Sequence, residues 1–488
     1  MTEKMKTKPI SELVTPAEPL SAAVQKMTVT GLQYDSRKIK PGDLFFAIEG
    51  FESDGHRYLS QAGEKGAVAA VVQHVNPALD LPQIKVADSR EAMALAAYAW
   101  HREALEKLQL IAVTGTNGKT SVSFLIRGLL EAHGVSCGLS GTIAYWIGQK
   151  RIDAWNTTPE AIDLYAMLAG MQRQGNRAVV LEVSSHAMAL KRVAGLKFDL
   201  ALFTNLSRDH LDFHPDMEDY FHHKQALFQQ LKPDGRAVIN RDDRWGEKLW
   251  NGFSKEKWGF GRREDADVRL VRAELSARGI DMRIAVRGDE FDVHSMLVGG
   301  FNVENVNAAL AAGVALGIPV GTLQRAMARQ KAIPGRLESY PLKSGATALI
   351  DYAHTPDALE KALQAAREIT RNRLWVVFGC GGDRDRGKRP LMARVAERQA
   401  DLTVVTDDNP RTEDPRRIIT DIMAGFEQKE KIEVIRDRKE AITHVVKNAV
   451  SGDVLLVAGK GHENYQIIGK EKVPFDEVAI IKEADLHA

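Results

Sequence analysis

The sequence predicts an α/β protein of three domains whose central domain is a doubly wound parallel sheet. Its 488 residues exceed what one hydrophobic core supports, since a domain takes about 150 residues. Short apolar segments alternate with amphipathic ones over the second and third parts of the chain. Strands that are apolar on both faces and alternate with helices are typical of parallel sheets covered by helices on both sides.

The first domain, residues 1–108, is predicted to be a small α/β domain. Strand-like runs at 44–48 and 67–72 are joined by turn-rich connections, and helical spacing over 92–105 ends the domain. Residues 1–19 carry charge but no apolar stretch of the kind that signal peptides have. We therefore expect no secretion signal.

The second domain, residues 109–335, opens with a continuous apolar strand at 108–113, a glycine-rich turn and an amphipathic helix at 120–132. Period-two alternation between 268 and 298 predicts an antiparallel excursion from the parallel sheet. The other strands predicted in this domain are at 178–183, 200–204 and 237–240.

The third domain, residues 336–488, is predicted to be a second, Rossmann-like α/β domain. Apolar strands and helical segments alternate along it, as in the second domain. Its predicted strands are at 348–352, 375–379, 402–406, 433–435 and 454–457.

Composition excludes several classes of protein. Lys+Arg 66 against Asp+Glu 65 leaves a net charge of +1, which gives no broad attraction to nucleic acid or anionic membranes. The two cysteines, Cys137 and Cys380, are far apart in sequence, which fits a reducing compartment and no disulfide framework. The longest apolar run, 306–320, is shorter than the ~20 residues that a spanning helix needs. We expect a soluble, cytoplasmic protein with no nucleic-acid partner and no transmembrane segment.

A glycine-rich loop follows the first strand of the second domain and precedes its helix. Glycines let backbone N–H groups turn onto phosphate oxygens, the helix N-terminus favours anions, and lysine and threonine serve phosphate and Mg²⁺. Val113 stands where the general pattern has its first glycine. The order of strand, loop and helix still predicts a nucleotide triphosphate site, rather than a simple turn. Its residues are Gly115, Thr116, Asn117, Gly118, Lys119 and Thr120.

Acidic and histidine residues follow the next strands, at the edge where parallel sheets bind ligands. Glu182 ends a buried strand, and a segment rich in His and Asp comes after the following one. Mg²⁺, the usual partner of ATP, prefers oxygen ligands. Zinc is the alternative, with His210, Asp212 and His214 as ligands. For His214, and also for His222 and His223, the favoured interpretation is a solvated loop and helix.

The loop form Gly-Thr-Asn-Gly-Lys-Thr resembles the signature of the Mur ligases and the related folylpolyglutamate synthases, and the resemblance covers nearly the whole chain. It implies an ATP-dependent ligase with two Mg²⁺ ions. The resemblance assigns Glu182 and His210 to the second ion, and Thr120 with Glu182 to the first. It also implies that Lys224 is carbamylated by CO₂ to N6-carboxylysine, which turns a cation into an anionic oxygen ligand.

The resemblance implies ATP contacts from both larger domains. Asn302 and Asn305 match a helix start near the adenine, Arg336 matches a γ-phosphate contact, and Asp351 matches a ribose contact. ATP would then lie between the second and third domains, so catalysis requires domain closure. An ordinary surface position is the alternative for Arg336.

A site for a UDP-muramoyl dipeptide is also implied. The segment around Ser36 resembles the family's uridine-binding start, and the segment from Asn156 resembles its pyrophosphate and muramoyl contacts. Leu190 stands where some members have a glutamine. Ordinary turn and surface positions are the alternative. The implied contacts are Ser36, Asn156, Thr157, Thr158, Ser184 and Arg192.

The sequence Asp-Asn-Pro-Arg at 408–411 resembles the motif of family members that accept meso-diaminopimelate; lysine-adding members lack its arginine. The chemistry agrees, because Arg411 can bind the distal carboxylate of diaminopimelate bidentately and would repel the bare ammonium of lysine. Glu463 suits the distal ammonium. The implied contacts are Arg384, Asp408, Asn409, Pro410, Arg411, Gly459 and Glu463.

The resemblance thus implies a ligase that adds meso-diaminopimelate to the D-glutamyl γ-carboxylate of UDP-N-acetylmuramoyl-L-alanyl-D-glutamate through an acyl phosphate, in peptidoglycan precursor synthesis. Catalytic roles are expected for Lys119, Lys224, His210 and Arg336, and a monomer is expected. The rivals are a folylpolyglutamate synthase, a nucleotide-dependent binding protein that has lost ligation, and a lysine-adding ligase.

Overall fold

The structure, a computed structural model, describes residues 6–50, 53–211, 213–276, 278–330 and 333–486. The chain divides into two compact units. The first comprises Met1–Phe260 with Ala311–Ile318, and the second comprises Gly261–Leu310 with Pro319–Ala488. Both contain parallel sheets flanked by helices, so the predicted α/β class is confirmed.

The N-terminal part of the first unit is a small parallel sheet with the strand order β3-β4-β5-β6. Phe45 and Phe46 on its second strand are both fully buried, on opposite faces of the sheet. The elements of this part are β1 (Lys8–Pro9), α1 (Ala22–Lys26), β2 (Thr28–Val29), β3 (Gly31–Gln33), β4 (Asp43–Phe46), α2 (Leu59–Glu64), β5 (Ala69–Val72), β6 (Gln83–Lys85) and α3 (Ser89–Leu105), with 3₁₀ turns at Ile10–Glu12 and Gly55–Tyr58.

The larger part of the first unit contains the predicted doubly wound sheet. Its elements are β7 (Gln109–Thr114), α4 (Lys119–Ala132), β8 (Cys137–Ser140), β9 (Ala144–Ile147), β10 (Lys150–Asp153), α5 (Ala161–Arg173), β11 (Ala178–Glu182), α6 (Ser185–Ala189), β12 (Phe198–Phe203), α7 (Met217–Ala226), β13 (Leu231–Asn240), α8 (Arg244–Gly252) and β14 (Lys257–Gly261), with a 3₁₀ turn at Leu227–Gln230.

The strands of this sheet are hydrogen-bonded in the order β10-β9-β8-β11-β7-β12-β13-β14. From β8 to β14 neighbouring strands are parallel, whereas β9 and β10 form an antiparallel edge. β7, β11 and β12 therefore lie side by side. Their carboxyl ends bring the phosphate loop, Glu182 and Thr204 to one edge of the sheet.

The second unit begins with the predicted antiparallel excursion, in which β16 pairs with β15 and β17. Alternate residues of β16 are buried, as period two predicts. The apolar run at 306–320 falls largely in a helix, as predicted. The elements are β15 (Val268–Ser276), β16 (Gly279–Val286), β17 (Asp289–Ser295), α9 (Gly300–Ala315) and α10 (Val320–Arg329).

The remainder of the second unit is a six-stranded sheet in the order β18-β19-β23-β20-β21-β22, parallel except for its edge strand β18. Its elements are β18 (Glu338–Pro341), β19 (Thr347–Asp351), α11 (Pro356–Ile369), β20 (Leu374–Phe378), α12 (Lys388–Gln399), β21 (Leu402–Val405), α13 (Pro415–Met423), β22 (Ile432–Val434), α14 (Arg438–Asn448), β23 (Val454–Ala458), β24 (Tyr465–Ile468), β25 (Glu471–Pro474) and α15 (Glu477–Leu486), with a 3₁₀ turn at Lys429–Lys431.

β19, β20, β21 and β23 are apolar on both faces and almost fully buried. The loops that follow them meet at one edge of the sheet, and these loops carry the residues predicted to bind an amino acid. Among the described residues, no helix has the length and apolar character needed to cross a membrane.

Candidate active site

The phosphate loop lies between β7 and α4 and is fixed by the segment that follows β12. Gly115 has φ 147°, and a Cβ there would lie 1.9 Å from Thr204 Oγ1. The Thr116 N–H donates to the Asn205 carbonyl over 2.9 Å, and the Asn117 N–H donates to Asn205 Oδ1 over 2.9 Å. The loop is therefore preorganised by backbone contacts that no side chain at position 115 would permit.

Lys119 lies across this loop. Its Nζ donates to the carbonyls of Gly115 and Thr116 over 3.0 and 2.9 Å. A lysine in this position places one positive charge where a phosphate would contact the loop N–H groups, at the N-terminus of α4.

Glu182, at the end of β11, is fully buried. Its Oε2 accepts hydrogen bonds from Thr120 Oγ1 over 3.0 Å and Thr142 Oγ1 over 2.9 Å, and its Oε1 accepts one from the Thr142 N–H over 3.0 Å. No salt bridge neutralises Glu182 within the described ranges. A buried carboxylate beside a threonine hydroxyl is an oxygen donor set of the kind that Mg²⁺ prefers, so these residues fit the predicted metal role.

Lys224, on α7, is 1% exposed. Its Nζ donates to the Gly115 carbonyl over 2.8 Å and lies 4.7 Å from the Tyr220 ring centroid. Burial, followed by the Lys119 ammonium, lowers the pKa of Lys224 well below its usual value, and Asp209 opposes this only in part. The Lys224 amine therefore loses its proton far more readily than an exposed lysine does.

His210 is held in the left-handed region with φ 54°. Its ring centroid lies 4.9 Å from that of His186 and 6.0 Å from that of Tyr220, the residue whose ring also faces Lys224. His210 and Lys224 thus both lie next to the Tyr220 ring. Their predicted joint role around a second metal ion stays a prediction.

For His214 the solvated interpretation is wrong, because the residue is only 1% exposed. Its Nδ1 is hydrogen-bonded to Asp219 Oδ2 at 2.7 Å, and its Nε2 to Ser185 Oγ at 2.9 Å. His214 therefore joins α6, directly after Glu182, to α7, which carries Lys224. Nothing in the local sequence distinguishes a histidine with these two partners from a solvated one.

The other histidine predictions have mixed outcomes. His222 is exposed, as expected for a solvated helix position, and His223 is half-buried. His223 and His214 lie near Asp219, and one potential ligand atom from each of the three falls within 4.8 Å of the others. Asp212, one of the three zinc ligands considered from the sequence, lies outside the described residues.

The residues predicted to contact the muramoyl nucleotide form a connected group beside Glu182, except for Ser36. Thr158 Oγ1 donates to the Glu182 carbonyl over 2.8 Å, and Thr157 Oγ1 lies 3.1 Å from Thr142 Oγ1. Arg192 donates to the Glu160 carboxylate over 2.7 Å and to the Thr158 carbonyl over 3.0 Å. Arg192 therefore holds Glu160 and the Thr158 segment together within the protein, and its contact with a substrate stays a prediction.

The remaining members of this set are on nearby turns. Ser184 caps α6, where its Oγ accepts the Ala187 N–H over 3.1 Å. The Asn156 N–H donates to the Tyr145 hydroxyl over 3.0 Å. Ser36 is 7% exposed within the N-terminal sheet region, and no described contact connects it with Ser184 or Asn156.

The predicted adenine, ribose and γ-phosphate contacts belong to the second unit. Asn302 Nδ2 donates to the Val298 carbonyl over 2.7 Å, and Asn305 Nδ2 donates to Asn302 Oδ1 over 2.9 Å. The Asp351 carboxylate accepts the Leu337 N–H over 2.9 Å, and burial raises the pKa of Asp351. The phosphate loop, in contrast, is in the first unit. That a single nucleotide contacts this loop as well as Asn302, Asn305 and Asp351 stays a prediction.

One donor group of Arg336 makes no hydrogen bond with the described residues. Its Nε is buried and has no hydrogen-bond partner among the described residues, while its guanidinium lies 5.9 Å from the Tyr352 ring centroid. A buried guanidinium nitrogen without an acceptor favours an anionic ligand over an ordinary surface position.

Two glycines bring the Arg336 segment against the loop after β23. Gly335 has φ 66°, and a Cβ there would lie 2.3 Å from the backbone nitrogen of His462. At Gly461, with φ 53°, a Cβ would lie 2.8 Å from the Tyr352 nitrogen. The Tyr352 N–H in turn donates to the Gly335 carbonyl over 3.0 Å. The predicted γ-phosphate residue and the predicted amino-acid loop are therefore packed backbone to backbone.

The predicted amino-acid contacts gather at the carboxyl ends of β20, β21 and β23. Arg411 has φ 52° and donates through NH1 to the Gly382 carbonyl over 2.9 Å. Asn409 Nδ2 donates to Glu463 Oε2 over 2.9 Å. Pro410, which lies between Asn409 and Arg411 in sequence, is buried, whereas Arg384 is exposed. Gly459 lies next to the Asp408 carboxylate.

Sequence reasoning missed two buried cations in this region. Arg389 donates to the Glu413 carboxylate over 2.6 Å and to the Gly381 carbonyl over 3.2 Å, which ties the Gly381 loop to the one containing Arg411. Lys460 lies beneath Asn409 and is fully buried. Its place between two glycines directly after a strand is the only signal in the sequence that could have drawn attention to it.

Three family models match the chain. They are the Mur ligase family catalytic domain over residues 28–101, the Mur ligase middle domain over 113–313, and the Mur ligase glutamate ligase domain over 335–461.

A protein of Geobacter sulfurreducens named UDP-N-acetylmuramoyl-L-alanyl-D-glutamate–2,6-diaminopimelate ligase is 41% identical over 473 residues, covering 92% of this chain and 93% of that protein. A solved structure of a ligase with the same name has a TM-score of 0.75 at 33% identity and covers 99% of both chains. The fold is also similar to that of MurF ligase from Thermotoga maritima in complex with ADP, with a TM-score of 0.61 at 20% identity over 94% of this chain and 98% of that one.

Proposed function

The chain belongs to the Mur ligase family, and we propose that it is the ATP-dependent ligase that joins meso-diaminopimelate to UDP-N-acetylmuramoyl-L-alanyl-D-glutamate. The observation that carries the proposal is the pairing of opposite charges in the candidate amino-acid site. Arg411 is fixed at the Gly382 carbonyl, while Glu463 is fixed by Asn409. A guanidinium and a carboxylate suit the distal carboxylate and ammonium of diaminopimelate, respectively.

The reaction would begin with transfer of the ATP γ-phosphoryl group to the γ-carboxylate of the D-glutamyl residue. One carboxylate oxygen forms a bond to phosphorus, the bond to the β-phosphate oxygen breaks, and ADP leaves. Positive charge and positioning carry such phosphoryl transfers. Lys119 at the phosphate loop and Arg336, with its unpaired Nε, are the side chains that would stabilise the transferring group.

The second step would form the amide bond. The neutral amine of diaminopimelate attacks the acyl carbon, a tetrahedral intermediate forms, and phosphate leaves as the carbonyl reforms while the nitrogen releases a proton. No protein nucleophile is required. The chain's contribution is to orient the amino acid through Arg411 and Glu463 so that its reacting amine is within reach of the acyl phosphate.

Two Mg²⁺ ions belong to this proposal, and when bound they would neutralise phosphate charge. Thr120 and Glu182 are joined by a 3.0 Å hydrogen bond in a buried setting, and we assign both to the first ion. Glu182, His210 and a carbamylated Lys224 are assigned to the second. The burial of Lys224 and its lowered pKa support carbamylation, because only a neutral amine reacts with CO₂.

The chain would then have three functional parts. Residues 1–108 with Ser36 would hold the uridine end of the substrate, residues 109–335 would hold ATP and the muramoyl dipeptide, and residues 336–488 would hold the amino acid. Asn302, Asn305 and Asp351 would complete the ATP site. We further propose that the enzyme acts as a monomer in the cytoplasm, in peptidoglycan precursor synthesis that supports cell shape and division.

The test is phosphate release from ATP in the presence of the UDP-muramoyl dipeptide, with meso-diaminopimelate, with L-lysine, or with no amino acid. We expect release that depends on meso-diaminopimelate. A preference for L-lysine would overturn the assignment of Arg411 and leave a lysine-adding ligase. Release with neither amino acid would point to a nucleotide-dependent protein without ligation, and replacing the dipeptide with a folate would test the folylpolyglutamate alternative.

A further inference from the structure

Lys460 is a buried cation directly beneath the candidate amino-acid site. It is fully buried, and its Nζ donates to Asn409 Oδ1 over 2.8 Å and to the Tyr465 carbonyl over 2.8 Å. The same Nζ lies 3.2 Å from Asp408 Oδ1 and 3.6 Å from Glu463 Oε2. One ammonium therefore contacts three of the side chains predicted to bind the amino acid, those of Asp408, Asn409 and Glu463.

These contacts determine which way the Asn409 amide faces. An ammonium can only donate hydrogen bonds, so Lys460 requires the Asn409 oxygen on its side. The Ile467 N–H also donates to this oxygen, over 2.9 Å. Asn409 Nδ2 is thereby directed to Glu463 Oε2, to which it donates over 2.9 Å. With Oε2 engaged by Asn409, the orientation of the Glu463 carboxylate is fixed.

Lys460 also determines the charge of the site. Asp408 and Glu463 contribute two negative charges and Lys460 one positive charge, so this cluster keeps one net negative charge for a ligand ammonium. Without the Lys460 charge, the Asp408 and Glu463 carboxylates would repel each other in this partly buried site, and Glu463 would be displaced. The position of the Glu463 carboxylate and the net charge of this cluster both depend on Lys460.

We propose that Lys460 is a specificity-determining positioning residue, which sets Asn409 and Glu463 so that the site selects amino acids with a distal ammonium group. The inference rests on the proposed function, because it assigns the distal ammonium of diaminopimelate to Glu463. Lys460 itself does not touch the substrate in this proposal; it acts through the two side chains that do.

The test compares meso-diaminopimelate with 2-aminopimelate, which keeps the distal carboxylate for Arg411 but lacks the distal ammonium. In the wild-type protein we expect kcat/KM to favour meso-diaminopimelate by about a hundredfold or more, as expected when a buried polar site loses its ligand group. Lys460→Met should reduce this ratio to about tenfold or less, mainly through the KM for meso-diaminopimelate. The KM values for ATP and the UDP-muramoyl dipeptide should stay unchanged.

A merely structural role for Lys460 would weaken both amino acids by the same factor and leave the ratio intact, and that result would overturn the inference. Lys460→Gln serves as a second variant, since its amide can still donate to Asn409 but brings no charge. We expect a ratio between those of wild type and Lys460→Met; a wild-type ratio in Lys460→Gln would show that the charge is not used.

Arg373→Met is the matched control. Arg373 pairs with Asp453 over 2.7 Å just before β23, whereas Lys460 follows the same strand at its other end. This control loses an ion pair but should keep the wild-type ratio. If wild-type protein itself releases no phosphate in response to meso-diaminopimelate, the proposed function fails; if it does and the Lys460 variants keep the wild-type ratio, only the present inference fails.

Discussion

The Thr120 hydroxyl donates a 3.0 Å hydrogen bond to the carboxylate of Glu182. This contact joins the first turn of the helix after the phosphate loop to the end of the neighbouring parallel strand. It is buried, and Thr142 supplies the second hydroxyl donor to the same carboxylate oxygen. The Thr120 side chain thus fixes the distance between the phosphate loop and the buried Glu182 carboxylate.

Thr120→Val is expected to lower kcat by about a hundredfold, or ~2.7 kcal/mol of transition-state stabilisation. The substitution keeps the shape of the side chain but removes an oxygen that binds Glu182 and is proposed to bind Mg²⁺. Phosphate release at saturating substrates measures the effect. Thr142→Val is the control, because the Thr142 N–H still donates to Glu182; its kcat should stay within about tenfold of wild type. Equal losses in the two variants would remove any special role for Thr120.

Lys224→Met is expected to change how stability depends on pH. Because the folded-state pKa of Lys224 lies well below its usual value, the unfolded chain binds more protons at this residue than the folded protein does. The contribution of Lys224 to stability is therefore fully present only above the unfolded pKa and is lost as pH falls through the folded one. In CO₂-free buffer, the free energy of unfolding of wild type should rise relative to Lys224→Met between pH 7 and pH 10. Parallel pH profiles would contradict the lowered pKa.

His214→Ala is expected to destabilise the first unit by about 2–4 kcal/mol, since it leaves Ser185 without its hydrogen-bond partner, removes the closest partner of the Asp219 carboxylate and opens a buried space. The thermal midpoint should fall by about 4–12 °C for a unit of this size, measured by differential scanning fluorimetry. His222→Ala, at an exposed position of α7, should shift the midpoint by less than about 2 °C. A midpoint for His214→Ala that matches the control would mean that α6 and α7 are held together by other contacts.

Arg411→Ala is expected to raise the KM for meso-diaminopimelate by about a hundredfold, with smaller changes for ATP. The variant loses the guanidinium proposed to bind the distal carboxylate and should discriminate less against L-lysine. Initial rates at varied amino-acid concentration measure both effects. Arg417→Ala removes an exposed arginine of α13 and should leave the KM unchanged. An unchanged KM in Arg411→Ala would refute the specificity assignment.

The sequence alone was sufficient to predict the position of the strands whose two faces are both buried. The strands at β7, β11, β19, β20 and β23 are continuous apolar runs, and each is found within two residues of its predicted position. The strands β8 and β10 were missed because glycine, serine and charged residues interrupt them, and β9 was missed although its four residues are apolar. Their pairing comes from hydrogen bonds with neighbours rather than from a local pattern.

The residues that the structure brings together were predictable where they lie in one contiguous motif, as in the phosphate loop and around Arg411. They were not predictable where partners come from distant segments. Thr142 lies 40 residues before Glu182 in sequence, and Lys460 lies 51 residues after Asn409. For such residues only the tertiary structure reveals which polar groups meet, and for His214 it reversed the interpretation.

The close approach of Gly335 to the loop at Gly461 has a consequence for how this protein can vary over evolutionary time. Either position is closed to every amino acid with a side chain, since even one methyl group would meet backbone atoms at 2.3 Å at Gly335 and at 2.8 Å at Gly461. Substitutions elsewhere in either loop must therefore leave Gly335 and Gly461 in place. New amino-acid preferences can arise through residues such as Arg411 and Glu463, while the backbone junction beside Arg336 requires glycine at both positions.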